Sequence, residues 1–123
     1  MASEAKSNSS TGQGIVRELS VVLPAFNEEA NIDKVVRDCV TYLDGTGLDY
    51  ELLVTNDGSK DRTGEILDRL AKEIPRLRPL HHPQNRGYGA ALRTGFDNAA
   101  KRFVFYMDGD GQFDIRELDS ILP

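Results

Sequence analysis

The chain has 123 residues, 39% hydrophobic and 28% charged, with a formal net charge of −5. That length and composition describe one ordinary globular domain with a real core. An acidic balance without a basic stripe excludes nucleic acid as the main partner.

Residues 1–14 are rich in Ser, Gly and Asn and nearly free of large apolar side chains, so a disordered tail is expected there and the domain over 15–123. The tail lacks the apolar centre of a secretory signal. Residues 19–25 read as a buried strand whose end is marked by Pro24. From 27 to 43 the period changes to that of a helix. Ile32, Val35, Val36, Cys39, Val40 and Leu43 share one face, and Gly45 and Gly47 follow as stop signals. Cys39 is the only cysteine, which rules out an intrachain disulfide and fits a reducing compartment. On that stripe it is a small core residue, not a nucleophile.

A second strand is predicted over 50–55, running into Asn56-Asp57-Gly58-Ser59. Residues 63–74 form a helix with Ile66, Leu67, Leu70 and Ile74 inward, closed by Pro75. A weak third strand covers 77–80; His81 and His82 after it have no third partner at metal spacing and are given no chemical role. Residues 89–100 make a helix of small residues suited to close packing on a sheet, and 103–107 a fourth strand. Asp114 and Glu117 then form a capping box for a helix over 115–122. No apolar run approaches membrane-spanning length.

Alternating strands and helices predict an α/β fold: an open, mostly parallel sheet with helices on both faces. Such sheets place ligands beyond the carboxyl ends of their strands. Asn27-Glu28, Asn56-Asp57, Asn85-Arg86-Gly87 and Asp108-Gly109-Asp110 would all meet at that edge. Asp108 and Asp110, one residue apart, can share a hard divalent cation, with Gln112 adding a neutral oxygen, although such a pair alone more often marks a turn. A cation there would grip a diphosphate and stabilise a departing nucleotide. Arg86, on a Gly-flexed loop, is placed for a phosphate, although a solvated surface arginine is its plain alternative. Asp57 suits a nucleobase or ribose, or an Asp-Gly turn.

An EF-hand-like calcium-binding loop competes for the same residues. With Tyr106 at loop position one, Asp108, Asp110, Gly111, Phe113 and Glu117 fall at the third, fifth, sixth, eighth and twelfth places. A phenol then replaces the opening carboxylate, and the residues before it favour a strand over an entering helix.

Taken together, Val21-Val22-Leu23-Pro24-Ala25-Phe26-Asn27-Glu28-Glu29, Asn56-Asp57-Gly58-Ser59, Asn85-Arg86-Gly87-Tyr88-Gly89-Ala90 and Asp108-Gly109-Asp110-Gly111-Gln112 resemble the nucleotide-binding half of inverting family 2 glycosyltransferases of GT-A (Rossmann-like) fold. The nearest branch resembles dolichyl- or polyprenyl-phosphate mannose and glucose synthases. The resemblance implies transfer of a hexose, with inversion, from a nucleoside diphosphate sugar donor to an acceptor such as a polyprenyl phosphate. It implies that Pro24, Ala25, Asn27 and Glu28 surround the nucleoside, that Asp57 binds the base, and that Asp108, Asp110 and Gln112 hold Mg²⁺ or Mn²⁺. The family often has Asp where this chain has Asn56. Relatives continue past the metal motif into segments that bind the acceptor, whereas this sequence stops at Pro123. No catalytic base is assignable within it. The chain alone is therefore expected to be inactive, with an uncovered sheet edge at 103–107. Membrane contact is expected only through further segments or the lipid acceptor, at a cytoplasmic face. A non-catalytic nucleotide-binding module remains a further alternative.

Overall fold

The computed structural model describes residues 5–7 and 17–107. In chain order the elements are β1 (Ala5–Ser7), β2 (Glu18–Ala25), α1 (Ile32–Asp44), β3 (Asp49–Asp57), α2 (Thr63–Glu73), β4 (Leu77–His82), α3 (Tyr88–Asn98) and β5 (Phe103–Tyr106). The sheet order is β1-β5-β2-β3-β4. β2 through β5 run parallel, and β1 lies antiparallel on β5. This is the open, mostly parallel sheet that the alternating pattern predicts.

A strand's side chains alternate between faces, and both faces here are covered. Leu19, Val21, Leu23 and Ala25 of β2 join Tyr50, Leu52 and Val54 of β3 beneath α1 and α2, which bury Ile32, Val36, Cys39, Leu43, Leu67 and Leu70. Burial, with Asp38 adding a little, pushes the Cys39 thiol up to about 12, which matches a core role. On the opposite face Val22, Leu53 and Val104 meet Leu92 and Phe96 of α3. Gly95 makes that contact possible: a Cβ there would sit 2.2 Å from Val22 Cγ1. Pro79 is accommodated because β4 is an edge strand.

A buried polar cluster joins β2 and β3 to the connection before β5. Glu51 accepts hydrogen bonds from Ser20 Oγ at 2.6 Å, Arg78 Nη1 at 2.6 Å and the Ala100 amide at 2.6 Å. Ser20 Oγ in turn accepts the Lys101 amide at 3.1 Å. Burial alone would raise the Glu51 carboxyl, but these donors outweigh it and hold it below the usual carboxylate range.

Three expectations need correction. Residues 5–7 lie in the segment expected to be a disordered tail, yet they pair with β5 as Ala5↔Phe105, Lys6↔Val104 and Ser7↔Phe103. Pairing through main-chain groups needs no apolar side chains, so the composition of the tail does not reveal it. For the same reason β5 is not the uncovered edge expected at 103–107. The first helix begins at Ile32 instead of 27, because Asn27 adopts a left-handed φ of 53° and residues after it bond to the next loop. The capping box at Asp114 and the helix over 115–122 lie outside the described residues.

Candidate functional site

Three loops emerge at the carboxyl edge of β2, β3 and β4, and hydrogen bonds lock them together. The Asn27 amide donates to Ser59 Oγ at 2.9 Å, while Asn27 Oδ1 accepts the Lys60 amide at 2.8 Å. Glu29 and Asp61 make a second exchange: the Glu29 amide donates to Asp61 Oδ2 at 3.1 Å, and Glu29 Oε1 accepts the Arg62 amide at 3.0 Å. The Glu28 amide donates to Thr63 Oγ1 at 2.8 Å. Asp61 also takes the Thr63 amide at 2.9 Å, just ahead of α2, whose N-cap position is Arg62. Asn27 thus serves the loop architecture with both its main chain and its side chain. Glu28 is half-buried, and its carboxylate makes only a 3.5 Å contact with Asn31 Nδ2 among the described residues. Pro24 and Ala25 are buried at the carboxyl end of β2, where the first of these loops begins.

Gly58 brings the second and third loops into contact. Its φ is +71°, and a Cβ there would lie 2.3 Å from the Asn85 nitrogen and 2.3 Å from the Gln84 carbonyl carbon. Only glycine satisfies both demands.

Asp57, 3% exposed, faces inward beneath that contact. Its Oδ1 accepts His82 Nδ1 at 2.7 Å and the Arg86 amide at 2.9 Å. Its Oδ2 accepts Asn85 Nδ2 at 3.1 Å and the Gly87 amide at 2.9 Å. Burial would raise this carboxyl, but the bonds from His82 and the two amides outweigh it and keep it below its ordinary value. The expected base-reading carboxylate is therefore fully engaged within the protein. Arg86, between those two amides, is exposed, with no side-chain partner among the described residues.

His82 is a site residue that sequence reasoning missed. Its Nε2 lies 2.7 Å from Thr94 Oγ1 on α3, so the ring bridges Asp57 and that helix. Reading the strand as ending at Leu80 hid it; the register pairs Asp57 with His82 and Asn56 with His81. Asn56 Oδ1 accepts the Ser59 amide at 3.1 Å, which turns its amide nitrogen toward His81 Nδ1 at 3.0 Å. His81 Nε2 then lies 2.8 Å from Asp68. Asn56 thus works on the opposite face of β3 from Asp57, as period-two alternation requires.

Asp108, Asp110 and Gln112 lie outside the described residues, and among the described residues no group of His, Cys, Asp and Glu could hold a metal ion. The Met107 amide still bonds to Val22 O at 3.0 Å, so the chain leaves the sheet at the same edge as Ala25 and Asp57. An all-oxygen donor set of two carboxylates and an amide suits a hard divalent cation. The EF-hand alternative fails on its flank: Tyr106 belongs to a strand, where that motif needs a helix.

Comparison with known proteins agrees with this fold. The sequence model described as Glycosyl transferase family 2 matches residues 20–123. The dolichyl-phosphate beta-glucosyltransferase ALG5A of Trichomonas vaginalis is 35% identical over 106 residues, covering 82% of this chain and 33% of the relative. Glycosyltransferase AglD of Haloferax volcanii is 37% identical over 121 residues, 97% of this chain and 19% of the relative. Among solved structures, the mannosyltransferase PcManGT from Pyrobaculum calidifontis, in complex with GDP-Man and Mn²⁺, superposes with a TM-score of 0.64 at 25% identity, over 78% of this chain and 28% of that one. Residues 1-349 of TarS from S. aureus share the fold, with a TM-score of 0.63 at 21% identity over 84% of this chain and 30% of that one. The chain spans 33% of the length of ALG5A and 19% of AglD.

Proposed function

The chain belongs to glycosyl transferase family 2, and from that premise we propose that it forms the donor-binding part of an enzyme moving a hexose from a nucleoside diphosphate sugar to a polyprenyl phosphate, with inversion. The observation that carries this reading is the convergence of three interlocked loops, one bearing an exposed arginine, at the carboxyl edge of a parallel sheet. The naming of ALG5A and the GDP-Man and Mn²⁺ in the PcManGT complex support the substrate classes.

In this reading Pro24, Ala25, Asn27 and Glu28 shape the nucleoside side of the site. Arg86 faces the diphosphate, and Asp57 underpins the loop that carries it. Asp108, Asp110 and Gln112 would hold Mg²⁺ or Mn²⁺. When bound, such an ion neutralises charge on the leaving diphosphate. A phosphate acceptor is already anionic and needs little general-base help, which fits a site with no assigned base. No helix among the described residues is long and apolar enough to cross a membrane. A polyprenyl phosphate acceptor would bring the site to a cytoplasmic membrane face.

Asp110→Ala is expected to abolish metal-enhanced binding of a nucleoside diphosphate without unfolding the chain, since a carboxylate between two glycines in sequence contributes no apolar core volume. Calorimetric titration of UDP and GDP with and without Mn²⁺ measures it. Wild-type metal enhancement in the variant would remove Asp110 from the metal site.

A further inference from the structure

We propose that His82, backed by Thr94, is a positioning residue that sets the loop 85–87, and with it Arg86, toward the diphosphate of a bound nucleotide, acting through Asp57. The inference rests on the donor-site reading above and adds residues to it.

A carboxylate offers about four acceptor positions. Those of Asp57 are taken by His82 Nδ1, the Arg86 amide, Asn85 Nδ2 and the Gly87 amide. A carboxylate so filled has little left for a ligand; what it can do is hold the two amides that flank the Arg86 side chain. Its rotamer then decides where the loop sits, and His82 fixes that rotamer. With Nδ1 donating to Asp57, the ring's other nitrogen, Nε2, lies 2.7 Å from the Thr94 hydroxyl, so the imidazole is held at both ends. Thr94 lies on α3, the helix that the loop leads into.

The bonds close a circuit from β3 through Asp57 to the loop, along α3 to Thr94, and back through His82 to β4. Both ring contacts are short, and both the histidine and the carboxylate have side chains 5% exposed. Inside so little solvent, neither group can exchange its partner for water without cost. Where the circuit opens to solvent, along the exposed residues 83–86, the cation it presents is the Arg86 side chain. A rigid frame with an exposed cation at its outlet is suited to meet a fixed anion, and preorganisation of this kind raises affinity by removing ordering cost.

The test compares His82→Leu, His82→Asn and Thr94→Val with the wild-type chain, titrating UDP and GDP against uridine and guanosine in excess Mn²⁺. Melting temperatures are recorded for each variant, and titrations are run well below them. Leucine removes both ring bonds and is expected to weaken the diphosphates about ten-fold while leaving the nucleosides within about two-fold, the scale of one or two lost hydrogen bonds. Asparagine can place a donor near the Nδ1 position and should recover most of that loss. Thr94→Val keeps the branched shape and should cost about three-fold in diphosphate affinity alone, so it reads the proposal even if His82→Leu does not fold. Equal weakening of diphosphate and nucleoside by Thr94→Val and His82→Asn would overturn the positioning role. A wild-type chain that binds neither UDP nor GDP would overturn the donor-site reading itself, and the proposal with it.

Discussion

Asp57→Ala is expected to lower stability by about 3–5 kcal/mol, the range seen when one partner of a buried hydrogen-bonded pair is removed. The lost carboxylate would leave the Arg86 and Gly87 amides, Asn85 Nδ2 and His82 Nδ1 without their acceptor. Each orphaned donor costs about 1–3 kcal/mol, and water reaching the nearby loop recovers part of the sum. Asp57→Asn keeps the volume but turns an amide group toward donors, so it should fall between alanine and wild type. The pH dependence follows from the carboxyl's position below its ordinary value, where donors from His82, Arg86 and Gly87 outweigh burial. A depressed folded pKa means that the stabilisation is complete above the unfolded value, about 3.9 for an aspartate, and is lost as pH falls through the folded one. Urea unfolding of both chains should therefore show a gap that is constant near neutrality and narrows below about pH 4. A neutral-pH gap under about 1 kcal/mol would mean the four bonds are replaceable by solvent.

Gly58→Ala should be comparably severe for a different reason. The added Cβ would stand 2.3 Å from the Asn85 nitrogen and 2.7 Å from the Gln84 Cα, all of it main chain that cannot rotate away. The left-handed φ of +71° adds about 1–2 kcal/mol for any residue with a Cβ. Gly47→Ala is the built-in control, with φ +79° but nothing within 4 Å of the new atom. Its cost should be the conformational part alone, about 1–2 kcal/mol, against about 3 kcal/mol or more at Gly58. The Gly58 variant should also lose nucleoside diphosphate affinity, since separating the loops pulls Asn85 off Asp57. Equal costs at the two glycines would show that the loops part without resistance.

The contrast between those glycines also marks how far the sequence could be read. Short apolar runs and helical stripes are sufficient for β2, β3, β5, α1 and α2, because burial of both faces of a strand or one face of a helix dictates side-chain type. They also brought Asn27, Asp57 and Arg86 to one edge. What they could not show was direction. Asp57 looks the same in sequence whether or not its own loop engages it, and the bonds it accepts from His82, Asn85, Arg86 and Gly87 appear only in the fold. His82 has no partner at metal spacing along the chain; its partners lie across a strand and on a helix. β1 left no apolar trace, since its bonds are main-chain bonds. The left-handed Asn27 left only a faint one, in a residue type that tolerates that conformation.

The place of β2 at the centre of the sheet has a consequence for the order of assembly. Leu19 pairs with Tyr50 on one side and with Phe103 on the other. The first partner arrives after a single helical crossover, the second only after most of the chain has been placed, and loop-closure entropy penalises the longer search. The half containing β2, β3 and β4 should therefore form early, with β5 arriving last. Glu51 and Ser20 then act as a latch that receives the Ala100 and Lys101 amides when the final strand slides in. Pulse-labelled hydrogen exchange during refolding should protect the Leu53 and Val54 amides before those of Val104 and Phe105; simultaneous protection would mean that the two halves of the sheet condense as one.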